Sequence, residues 1–131
     1  MKGISDIFKA FSEEVRLRIF GMLADGREVC VCKFSEILKS THSKTSRHLA
    51  YLKRNALVTS VRKGQWMYYK INPRIDKKYS DLFETTKNLV LNSPQAKKDI
   101  QKLDELDQLE NCRSMNGKST NNNKGDKYGQ K

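Results

Sequence analysis

A chain of 131 residues with 37% hydrophobic content holds one small domain and a modest core, and favours hiding further apolar surface by dimerisation. A net charge of +11 points to a polyanionic partner, nucleic acid before an anionic membrane surface. No apolar run approaches transmembrane length and Met1-Lys2-Gly3-Ile4-Ser5 is not a signal peptide, so a cytoplasmic protein with no membrane partner is expected.

Ile4, Ile7, Phe8 and Phe11 recur at helical spacing. Ser12 before Glu13-Glu14 is expected to cap a second helix. That helix buries Val15, Leu17, Ile19, Phe20 and Leu23 and is ended by Gly26. A third helix is expected from about Val31 to Leu38, and a fourth from a Thr41 cap to about Asn55, with Leu49 and Leu52 inward. Two helices joined by the short turn Ser40-Thr41 make a helix-turn-helix.

The texture then changes. Ala56 to Val61 and Trp66 to Ile71 are β-branched or aromatic, and Arg62-Lys63-Gly64-Gln65 separates them as a turn, which predicts a β-hairpin wing. Asn72-Pro73 ends the second strand. A helix from roughly Ile75 to Leu91 follows, carrying Tyr79, Leu82, Phe83, Thr86, Leu89 and Val90 on one side. Beyond Pro94, Gln95 to Glu110 is helical by pattern, with a narrow apolar stripe. The fold class is therefore mainly α with a β-hairpin wing, a winged helix-turn-helix.

Charge is unevenly spread. Residues 1–92 carry 18 Lys and Arg against 9 Asp and Glu, whereas 93–112 carry 3 against 5. The expected organisation is a DNA-binding and dimerisation domain over 1–92, an extra C-terminal helix over 93–111, and a disordered basic tail over 112–131, where Gly, Asn and Lys dominate.

Three cysteines are present, and Cys30 and Cys32 stand one residue apart at the start of the third helix. In a reducing compartment such a pair reads as metal ligands or redox groups, with buried structural thiols as the plainer alternative. Residues i and i+2 of a regular helix lie about 200° apart. Binding one ion with both is therefore expected to require that the first turn unwind or never form, which would tilt the fourth helix.

Three segments resemble the ArsR (ArsR/SmtB) family of bacterial metal-responsive repressors. They are Ser12 to Leu23, with Val15-Arg16-Leu17-Arg18-Ile19; Glu28-Val29-Cys30-Val31-Cys32, similar to a Glu-Leu-Cys-Val-Cys metal box; and Ser46-Arg47-His48-Leu49-Ala50-Tyr51-Leu52 with Leu57-Val58. The wing with Arg62, Lys63, Gly64 and Tyr68-Tyr69 also fits, so the resemblance covers about residues 4–92. It implies a homodimer formed through the first and fifth helices, reading double-stranded operator DNA without a cofactor. It implies release by an effector, trivalent arsenic or antimony, As(III) or Sb(III), at Cys30 and Cys32. Histidines are absent from the fifth helix and no cysteine precedes Cys30, which departs from zinc-responsive and cadmium/lead-responsive members. Some arsenic-responsive relatives carry a third cysteine where Ser35 stands. Here the third thiolate is Cys112, a small cellular thiol, or none. Relatives usually have Gly at the position of Ala56.

For DNA, the candidates in the fourth helix are His42, Ser43, Lys44, Ser46, Arg47 and His48, with Arg47 first and Ser46 second. His48 is equally a packing or phosphate-contacting residue. Lys53 and Arg54 read as a solvated helix end, and Arg62 and Lys63 on the wing as backbone or minor-groove contacts. The alternative to arsenic keeps the same DNA-binding repressor and has it sense cadmium, lead or thiol oxidation, the last disfavoured by the strain of a disulfide across one residue. An enzyme is not expected. The chain lacks Cys-x-x-Cys, a strand-helix-strand framework and a Gly-rich phosphate loop.

Overall fold

The structure, a computed structural model, describes the backbone of residues 2–116 and the side chains of residues 3–110. Six helices and one three-stranded antiparallel sheet follow in the order α1 (Lys2–Phe11), α2 (Glu14–Leu23), β1 (Val29–Cys30), α3 (Val31–Leu38), α4 (His42–Arg54), β2 (Val58–Lys63), β3 (Trp66–Ile71), α5 (Ser80–Leu91) and α6 (Pro94–Asn116). The winged helix-turn-helix read from the sequence is present.

The core is built where the apolar stripes of the helices meet. Ile19, Phe20, Met22 and Leu23 of α2 are buried against Phe34 and Ile37 of α3, Leu49 and Leu52 of α4, and Phe83 of α5. Phe11, Phe20 and Phe83 form an aromatic cluster with centroids 4.9 to 6.4 Å apart, tilted or edge-on as ring quadrupoles prefer.

The turn between α3 and α4 is fixed at both ends. Lys39 takes the left-handed conformation (φ 54°), and the Ser40 N–H donates to the Ser35 carbonyl at 3.1 Å. Thr41 Oγ1 then accepts from the Lys44 N–H at 3.1 Å, the cap expected for α4. Ser12 does not cap α2. Its hydroxyl donates back to the Lys9 carbonyl at 2.8 Å and closes α1 instead, and the capping position of α2 falls to Glu13 without a side-chain bond.

The wing pairs Val58 with Ile71 through to Lys63 with Trp66. Arg62 and Lys63 are therefore strand residues, and the loop is only Gly64-Gln65, with Gly64 at φ 67° as a two-residue II′-type turn requires. Val29 and Cys30 add a third strand, β1, by pairing with Tyr69 and Tyr68. The helix expected from Ile75 begins later. Asp76 Oδ1 accepts from the Lys78 N–H, a 3-10 turn spans Lys77–Tyr79, and the α-helix starts at Ser80.

α6 is longer than the sequence pattern indicates, since its backbone is helical to Asn116 and so includes 112–116 of the expected tail. Residues 117–131 of that tail lie outside the described residues. α6 is fastened to the body by Ala96, Leu103 and a buried ion pair. Arg18 Nε and Nη2 donate to Asp99 at 3.0 and 2.9 Å, and Gln95 Nε2 adds a third bond at 3.0 Å. Farther along, Asp104 and Asp107 pair with Arg27, and Asp107 and Glu110 with Lys33.

α4 ends in a Schellman turn. The Ala56 N–H donates to Lys53 and the Leu57 N–H to Leu52, with Ala56 itself at φ 61°. A left-handed residue bearing a Cβ costs roughly 1–2 kcal/mol. Ala56→Gly is therefore expected to raise stability by about 1 kcal/mol, after allowing for the extra freedom of glycine in the unfolded chain. A urea midpoint that moves up without a change in slope is the expected result.

Candidate metal and DNA sites

Cys30 is not in the helix. It ends β1 in an extended conformation (φ −73°, ψ 145°) and serves as the capping residue of α3, its sulfur accepting from the Cys32 N–H at 3.4 Å. Cys32 lies in the first turn. The bend from strand to helix swings the two side chains together, with the sulfurs 2.9 Å apart. The expectation that convergence needs a first turn that unwinds or never forms is thereby corrected, since α3 is formed from Val31 and Cys30 caps it. The 200° separation holds only when both residues are helical, and one is not. The signal in the sequence was Val29, a β-branched residue whose strand character depends on Tyr69, distant along the chain.

The pair is electrostatically prepared. The hydrogen bond donated by the Cys32 thiol pulls the Cys30 thiol down to about 7; burial opposes this, while the Cys32 N–H and the Lys33 ammonium assist. The Cys32 thiol is pushed up because its proton is held by Cys30 and because it is partly buried. The two thus share one thiolate, on Cys30. Its fraction is expected to rise steeply as pH passes through about 7. With Cys112 replaced by Ser, ultraviolet thiolate absorbance should report one titrating group, and Cys32→Ala should return it toward the ordinary thiol value of about 8.5.

Cys30 is 3% exposed while Cys32 is half-buried, so a ligand would reach the pair past Cys32. Lys33 beside it is occupied by Asp107 and Glu110 of α6. Ser35, one turn on, has a buried hydroxyl oxygen with no hydrogen-bond partner. Among the described residues no group of three or more His, Cys, Asp or Glu side chains converges as a metal cage. Cys112 is within the backbone of α6, and its side chain lies outside the described residues.

The DNA candidates divide by position. Thr45, Leu49 and Leu52 of α4 face the core. Ser43, Lys44 and Arg47 are exposed, while His42, Ser46 and His48 are half-buried. Arg62 is exposed on the wing. Lys63 is exposed as well, but it is paired with Glu28 and lies 5.0 Å from the centre of the Tyr68 ring. Arg16 of α2 was not singled out from the sequence, since one arginine among several on a helix carries no signal. It donates to the carbonyls of Ala10 (2.8 Å) and Lys9 (3.1 Å), lies 3.2 Å from His48 Nδ1, and stacks over Tyr51 at 4.2 Å.

Residues 13–60, from the cap of α2 into β2, match the model of the "Bacterial regulatory protein, arsR family". An arsenic resistance transcriptional regulator of Pseudomonas putida is 37% identical over 81 residues, covering 62% of this chain and 70% of that protein. The chain belongs to the ArsR family. A cadmium resistance transcriptional regulatory protein of Listeria innocua is 38% identical over 67 residues, 51% of this chain and 56% of that one. Among solved structures, HlyU from Vibrio cholerae superimposes with a TM-score of 0.58 at 30% identity, over 67% of this chain and 91% of that chain. The chain spans between 54% and 75% of the length of the curated relatives it matches. As an ArsR-family protein it is a DNA-binding transcriptional regulator and not an enzyme. Among the described residues no helix is long and apolar enough to cross a membrane.

Proposed function

We propose that this ArsR-family chain is a cytoplasmic repressor that binds operator DNA as a homodimer and leaves it when As(III) or Sb(III) binds Cys30 and Cys32. The observation that carries the reading is the pair of sulfurs, 2.9 Å apart, at the joint between the wing sheet and α3. Thiolates are soft ligands that select thiophilic ions. A third sulfur comes from Cys112 or from a small cellular thiol, or the pair acts alone.

The route to DNA follows from where the sulfurs are anchored. Cys30 is registered against Tyr68 in the wing strand β3, and Cys32 belongs to the helix that precedes α4. An ion held by both ties strand to helix and favours one setting of the wing relative to α4. A shift from 99% bound to 99% released needs roughly 5.5 kcal/mol of differential affinity, above the 1–3 kcal/mol of ordinary coupling. Strong sulfur bonds are a suitable source.

In this reading Arg47 reads bases from the outer face of α4, with His42, Ser43, Lys44, Ser46 and His48 around it. Arg62 contacts the backbone, and Lys63 joins it by exchanging Glu28 for phosphate. Phe8 of α1 (54% exposed) and Leu89 of α5 (70% exposed) supply apolar surface for the dimer, while Ile7, Phe11 and Phe83 serve the monomer core. The second reading, cadmium, lead or thiol oxidation at the same pair, draws on the cadmium-named relative and on the thiolate beside a thiol.

The test is direct binding. Loaded with arsenite, the protein is expected to hold one arsenic per chain with a sulfur-dominated first shell, at least two sulfurs, by X-ray absorption. Failure to retain arsenic, or an oxygen-dominated shell, would turn the reading to the second effector class.

A further inference from the structure

Between the start of α2 and the outer face of α4 lies a concavity of about 540 Å³ whose walls are strongly basic. Arg16, Lys44, Arg47 and Arg54 line it, with His48 and Tyr51 between them. Arg16 and Arg54 both stack on the Tyr51 ring, 4.2 and 5.1 Å from its centre. Among the described residues no carboxylate lies within ion-pair distance of any of the four cations, although Arg18, Arg27, Lys33 and Lys63 are all paired. Four like charges around one concavity repel, and a dianion or polyanion relieves that repulsion.

The arginines are held ready. Arg16 is fixed by two carbonyls at the end of α1 and by the Tyr51 face, and it abuts His48 Nδ1. A planar guanidinium held on an aromatic ring loses little freedom on binding. Along α4, Arg47 and Arg54 are seven residues apart and share one face, about 10 Å along the axis. The base-reading end of a recognition helix is its N-terminal half, and the major groove is about 12 Å wide. Arg54 therefore falls at the groove wall, where backbone phosphate is, and not over base edges.

We propose that this concavity is a seat for a DNA backbone phosphate, with Arg54 meeting the phosphate and Arg16 acting as a positioning residue that holds Tyr51 and His48. Arg54, read from the sequence as a solvated helix end, becomes a contact. The inference rests on the DNA-binding reading above and adds a sequence-independent anchor outside the base-reading residues.

The test uses the full chain and two duplexes of equal length, one from its own promoter and one unrelated, over a fourfold range of salt. Arg54→Gln is expected to weaken both duplexes by the same factor and to flatten the log–log salt slope by about 1.8, roughly 0.9 for each chain of the bound dimer. Wild type would then lose about 12-fold more affinity than the variant across that range. Lys97→Gln, the same charge loss on the exposed side of α6, is expected to leave the slope unchanged. Unchanged affinity and slope in Arg54→Gln would overturn the proposal, as would a loss confined to the promoter duplex, which marks a base reader. Equal slope loss from Lys97→Gln would overturn it too, by assigning the effect to net charge. A wild type that fails to prefer the promoter duplex would count against the repressor reading, while the slope on the unrelated duplex would still decide the phosphate seat.

Discussion

Cys30→Ser and Cys32→Ser are each expected to bind operator DNA as wild type does and to ignore arsenite. The physical case differs at the two positions. Cys30 is buried and caps α3 by accepting the Cys32 N–H. Serine is among the best capping residues, so the helix start is preserved while the soft donor is lost. Cys32 is half-buried in the first turn, where serine costs little. Either variant leaves a single sulfur at the joint, unable to tie β1 to α3. The expected effect is the whole switch. Fluorescence anisotropy on labelled operator should show arsenite-driven release in wild type and none in either variant. Loss of DNA binding without ligand in either variant would mean that the thiols hold the DNA-competent form together.

Arg18→Met is expected to cost about 3–5 kcal/mol, the largest stability effect of any substitution proposed for this chain. Asp99 is 2% exposed, and its two carboxylate oxygens are satisfied by the Arg18 fork and by Gln95. Removing the guanidinium strands a charge in the packing between α2 and α6. The reverse change, Asp99→Leu, should cost less, since Arg18 reaches the surface with 21% of its side chain exposed and can hydrate. The double variant should be more stable than Arg18→Met alone, because an apolar pair needs no ionic partner. Urea unfolding of the three variants checks the ordering. Because α6 also carries the acids that occupy Arg27 and Lys33, a loosened α6 should also alter the environment of Cys32.

What the sequence revealed follows a physical divide. The local signals were legible: Thr41 as a cap, the helical spacing of Leu49 and Leu52, the paired strands around Gly64, and the unusual Ala56, which does take the left-handed conformation. Features created by partners far along the chain were not. β1 is two residues long and exists only through Tyr68 and Tyr69, and missing it let helical geometry be applied to Cys30, one residue outside the helix expected from Val31, and led to the unwinding argument. The stripe of α6 looked narrow because one of its buried members is Asp99, which only Arg18, distant in sequence, makes buriable. Arg16 and Arg54 looked like ordinary surface charges until Tyr51 brought them together.

The central claim is that the thiol pair releases DNA when it captures trivalent arsenic. It is tested most directly by titrating the protein–operator complex with arsenite, beside cadmium, zinc and a mild oxidant, and following anisotropy. Selective release by arsenite at about one equivalent per chain is the predicted result. Release by cadmium or oxidant alone, with the complex intact in arsenite, would contradict it.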